Sequence, residues 1–97
     1  GMQYKVIFNI SSDFGDTEAE EISFALLDAV DAVAEDTKEN VFTNQTVDLL
    51  LWANPEDYDQ SSRLYIDLKR NFEYSGVQMS RGSINRKMLI LNLEPNY

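Results

Sequence analysis

The chain has 97 residues and a net charge of −9, with no cysteine and no histidine. Its length makes a single domain with a modest core. The missing cysteine excludes disulfides, thiolate chemistry and zinc–thiolate sites, and the missing histidine removes the commonest general base and transition-metal ligand. Catalysis would have to rely on carboxylates, lysines, serines and tyrosines.

Charge is segregated along the chain. Residues 1–40 carry ten acidic and two basic side chains, residues 41–59 four acidic and none basic, and residues 60–97 three acidic and six basic. An acidic balance opposes binding to nucleic acid or to an anionic membrane, because phosphate contacts need a positive field. Gly1 before Met2 reads as a scar of tag removal, so the domain is expected to be 2–97. The apolar run Val6-Ile7-Phe8 is too short for a signal-peptide core. No run approaches the length of a membrane span, so a soluble, cytoplasmic protein is expected.

Tyr4, Val6, Phe8 and Ile10 alternate with Gln3, Lys5, Ile7 and Asn9, the pattern of a half-buried strand. Residues 11–16 are a loop. Over 18–36, Ala19, Ile22, Ala25, Leu26, Ala29, Val30 and Val33 recur at three- and four-residue steps, which predicts a helix. Thr17 with Glu20 reads as its capping box, and Asn40 as its left-handed stop.

Residues 41–46 are ambiguous. The run VDLLLWA over 47–53 predicts a strand covered on both faces and central in a sheet. Asn54-Pro55-Glu56-Asp57 predicts the start of a second helix, with Asn54 as cap and Pro55 in the first turn. Its expected inward stripe is Tyr58, Ser61, Tyr65, Leu68 and Phe72, and Gly76 is its expected stop. A polar strand over 77–84 and an apolar one over 86–93 follow, joined by a hairpin turning within 81–86. Residues 94–97 are expected to be a loose tail.

These elements predict an α+β fold, with two helices on one face of a mainly antiparallel sheet of four to five strands. The order is β-α-β-α-β-β. If 41–44 pairs with 47–53, it becomes the ferredoxin-like β-α-β-β-α-β with an extra strand.

The stretch 11–21 reads SSDFGDTEAEE. Asp13-Phe14-Gly15 matches the magnesium triplet of protein kinases, but the phosphate loop, lysine strand and catalytic loop that give the triplet meaning are missing. Asp13, Asp16 and Glu18 do not keep the register of a calcium loop either. The stretch reads as a helix start, whose acids favour the positive end of the dipole. No metal and no cofactor are expected.

Phe24 breaks the helical pattern. It falls on the face of Glu20, Asp28 and Asp31, with Leu27 at the border, and so resembles a partner anchor with a polar rim; the alternative is that a loop, the tail or a second subunit covers it. Arg81, Arg86 and Lys87 cluster at the last hairpin, where they could hold an anion or an acidic partner. The bland alternative is a charged turn that blocks edge-to-edge pairing. Trp52, Tyr4, Tyr58 and Tyr65 lie at core spacing.

The leading expectation is a small acidic, non-catalytic protein–protein interaction module. Its partner would be an unidentified protein or, as a homodimer, a second copy, with no nucleic acid and no membrane. A small-ligand-binding or regulatory domain is the alternative. An acidic inhibitor that mimics nucleic acid ranks third, on the acidity of 1–59, and an enzyme ranks last.

Overall fold

The alternation at the start of the chain forms β1 (Met2–Ile10), and this strand takes the centre of the sheet. The computed structural model describes residues 1–97. After β1 come α1 (Asp16–Val33), β2 (Asp36–Phe42), β3 (Thr46–Ala53), α2 (Ser61–Asn71), β4 (Val77–Ile84) and β5 (Met88–Pro95). The sheet order is β2-β3-β1-β5-β4. Every neighbouring pair is antiparallel except β1 with β5, which runs parallel.

This is the expected α+β two-layer arrangement, but the strand that pairs with 47–53 is Asp36–Phe42 rather than 41–44, and the helix expected over 18–36 ends at Val33. β1, α1 and β2 form a split unit with β3 between its strands. The second half departs from the ferredoxin-like order. The extra strand β5 lies inside the sheet, between β1 and β4, rather than at its edge.

The pleat sends alternate residues to opposite faces. Tyr4, Val6, Phe8 and Ile10 meet Leu49, Leu51, Leu89 and Leu91 under the helices, and Ile22, Leu26, Leu64 and Leu68 close the core from above. Each fully buried leucine contributes about 1.5–3 kcal/mol relative to exposure. The opposite face has no helix over it. There Lys5, Ile7, Leu50, Trp52, Met88 and Ile90 are only half-buried.

Several local expectations change. No capping box forms: α1 is capped by Gly15 without a side-chain bond, and Thr17 lies inside the helix. Asn40 is no left-handed stop, since no residue other than glycine has positive φ. It sits instead at a register shift in β2, between Glu39 and Val41. β3 is not covered on both faces, because Leu50 and Trp52 belong to the open one. Trp52 is therefore not a core residue.

Asn54 caps only an isolated turn. Its side chain accepts from the Glu56 N–H and its carbonyl from the Asp57 and Tyr58 N–H groups. α2 begins later, at Ser61, and buries Ser61, Leu64 and Leu68; Tyr58, Tyr65 and Phe72 are only partly covered. Gly76, at φ 80°, shapes the turn before β4 rather than the helix end. β5 runs on through Pro95, and the Asn96 N–H donates to the Gly76 carbonyl.

Candidate functional site

The helical face that carries Phe24 is open. The Phe24 side chain is 53% exposed, while the opposite face of α1 buries Ile22, Leu26, Ala29 and Val30. Glu20, Asp28 and Asp31 are exposed around it, and Leu27 is half-buried against the core. The structure thus brings together all five residues expected on this face. It adds Phe42, whose ring lies 5.7 Å from that of Phe24 with the planes tilted by 52°. Phe42 ends β2, a strand with one free edge. Aromatic rings prefer such offset and tilted contacts. In the sequence Phe42 lies in a polar stretch without clear periodicity, so only its aromaticity hinted at a role.

The basic cluster divides. Lys87 turns its ammonium to 5.4 Å from the centroid of Tyr4, and Arg81 places its guanidinium 5.4 Å from that of Tyr65. Arg81 and Arg86 share a cavity of about 470 Å³ with Asp59, Ser61, Ser62 and Asn85. Lys87 is not among its walls. Ser61 was expected as part of an apolar stripe, and nothing in the sequence connected it to the arginines.

Ser11, Ser12 and Asp13 line another cavity of about 510 Å³, at the carboxyl ends of the parallel strands β1 and β5. Asn9, Ser11, Asp13, Asn92 and Glu94 contribute polar groups there. Ser11 Oγ accepts from the Asp13 N–H, and Phe14 is buried in the core. Nowhere do three metal-ligating side chains converge.

Three tyrosines have raised pKa values. Burial comes first for Tyr58, followed by its hydrogen bond to Asp67, and together they push it up to about 12. Burial and then the Asp59 carboxylate raise Tyr4; partial burial and Glu21 raise Tyr74. Each of these hydroxyls is thereby held as a hydrogen-bond donor, away from neutral-pH acid–base work. Tyr4 donates to the Tyr58 carbonyl at 2.7 Å, and Tyr58 to Asp67 at 2.9 Å.

No protein-family model matches this chain. No curated protein matches it, and no solved structure does.

Proposed function

We propose that this chain is a non-catalytic protein–protein interaction module that engages its partner through the Phe24 face. One observation carries the reading: a phenylalanine 53% exposed that is nonetheless held in place by a second ring, Phe42. An anchor fixed before binding loses less freedom on association than a mobile one. Glu20, Asp28 and Asp31 give that anchor an acidic rim, so the complementary partner presents an apolar residue among lysines or arginines.

The test uses two baits, the wild-type chain and Phe24→Asp, matched beforehand for thermal melting. A partner held by wild type, released by high salt and absent from the Phe24→Asp bait supports the module and its face. Retention by both baits removes this face from consideration.

A homodimer is a second reading, favoured by the uncovered sheet face. Ile7, Leu50, Trp52, Met88 and Ile90 form an apolar band there. Five strands of seven to nine residues project an area on the order of 600 Å² before side-chain relief is added. That approaches the roughly 800 Å² per partner of a stable interface. Sedimentation of wild type against Trp52→Glu tests it: a dimer that dissociates in the variant supports the reading, and a monomeric wild type rejects it.

A further inference from the structure

The first turn of α2 opens onto the cavity that Arg81 and Arg86 share. We propose that this cavity is an anion site for the phosphate group of a small phosphomonoester.

The helix end is unsatisfied. Gln60 is the N-cap in an extended conformation, supplies no side-chain cap, and no acid follows in the first turn. α1 differs, with Asp16 and Glu18 at its own start. The Arg63 and Leu64 N–H groups already bond the Gln60 carbonyl, which leaves unbonded those of Ser61 and Ser62, two residues that line the cavity. An uncompensated helix start carries about half a positive charge and free donors.

Ser61 provides the independent observation. The residue is only 8% exposed, its hydroxyl bonds no other group of the chain, and it lines this cavity. The other buried serine, Ser23, bonds the Ala19 and Glu20 carbonyls. The Ser61 Oγ reaches the solvent of the cavity, so it is free to bond a ligand there.

The arginines are free for the same task. The ion pairs of the chain use Lys5 with Asp48 and Arg70 with Asp67, so neither Arg81 nor Arg86 has a carboxylate partner. The Tyr65 ring under Arg81 limits the directions its guanidinium can take. Asp59 stands on the same wall and opposes an anion. Two guanidinium groups and the helix end still exceed it by about 1.5 charges, close to the charge of a phosphomonoester near neutral pH. A tetrahedral group can offer separate oxygens to the amide pair, the hydroxyl and the arginine forks. The cavity, about 470 Å³, leaves room for the rest of a small molecule.

The test is a titration of ¹⁵N-labelled protein with inorganic phosphate, with ionic strength held constant by sodium chloride. Saturable shifts confined to the amides of Ser61, Ser62 and Arg86 are expected, with none at Phe24. Arg86→Ala should weaken binding at least about tenfold. Ser61→Ala should weaken it while leaving the melting temperature unchanged, and Asp59→Asn should tighten it. Acetate, titrated in the same way, should bind more weakly. Shifts that never saturate, that spread over all basic residues, or that persist unchanged in both Arg86→Ala and Ser61→Ala overturn the site. Equal binding of acetate overturns the phosphate assignment.

Discussion

Phe24 on α1 and Phe42 at the end of β2 face each other with ring centroids 5.7 Å apart and planes at 52°. The contact joins the helix to an edge strand, yet leaves Phe24 53% exposed. The pair therefore does two jobs of unequal weight. It adds modestly to stability, and it fixes an apolar surface in place.

That inequality can be measured by urea unfolding. Phe24→Ala should cost about 1 kcal/mol, the size of a partly exposed aromatic contact. Leu26→Ala, on the opposite and fully buried side of the same helix, should cost about 2–5 kcal/mol. A Phe24→Ala loss as large as that of Leu26→Ala would make Phe24 a structural residue and remove the case for a contact face.

The open sheet face carries one ion pair among apolar side chains. Lys5 Nζ lies 2.9 Å from Asp48 Oδ1, with the side chains 36% and 18% exposed. That oxygen is buried and lacks a well-aligned hydrogen bond. Removing only the lysine, as in Lys5→Met, should cost about 1–2 kcal/mol, because the carboxylate loses its counter-charge. Lys5→Met with Asp48→Leu should recover most of the loss, since Ile7 and Leu50 already make the surroundings apolar. Chemical denaturation of the two variants beside wild type checks this.

Tyr58 gives stability a pH dependence at the alkaline end. Its pKa is pushed from 10.0 up to about 12, by burial first and then by Asp67. Folding thus favours the protonated phenol. That contribution is complete below pH 10 and is lost as pH rises from 10 towards 12. Tyr58→Phe should cost about 1 kcal/mol at neutral pH through the lost bond to Asp67. Its stability should then fall less steeply than that of wild type between pH 10 and 12, as read by denaturant midpoints.

The glycines should respond differently to alanine. At Gly82 a new Cβ would lie 2.9 Å from the Ile90 carbonyl oxygen and 3.1 Å from the Asn92 amide, at the register shift of β4. A loss of about 1–3 kcal/mol is expected there. At Gly76 the cost is about 1 kcal/mol and comes from its φ of 80°. Gly15→Ser, in open space at the α1 cap, should be neutral or stabilising by a few tenths of a kcal/mol. Melting temperatures rank the three.

Elements with strong apolar periodicity were legible before the structure. β1, α1 and β3 announce themselves through Tyr4-Val6-Phe8, Ile22-Leu26-Val30 and the run after Val47. β2 did not, because Asp36, Lys38 and Glu39 carry no apolar rhythm; its pairing is dictated by β3, and an edge strand tolerates polar residues on both faces. Asn54-Pro55 misled because an Asx turn and a helix cap use the same side-chain bond. Helical angles alone put Phe24 on the acidic face of α1, but not whether a loop, the tail or a second copy covers it there. The cavity around Ser61 could not be read, since it joins residues 59–62 to 81–86, and that meeting depends on where β5 enters the sheet.

The placement of β5 also bears on how the molecule is made. Residues 5–10 of the central strand pair with residues 88–93. Synthesis delivers residues at about 5–20 per second, so one edge of β1 waits several seconds for its neighbour. During that interval α1, the β2–β3 hairpin and α2 can gather on β1, but the sheet cannot close. The half-built protein therefore displays an apolar strand edge, the kind of surface that molecular chaperones shield on a nascent chain.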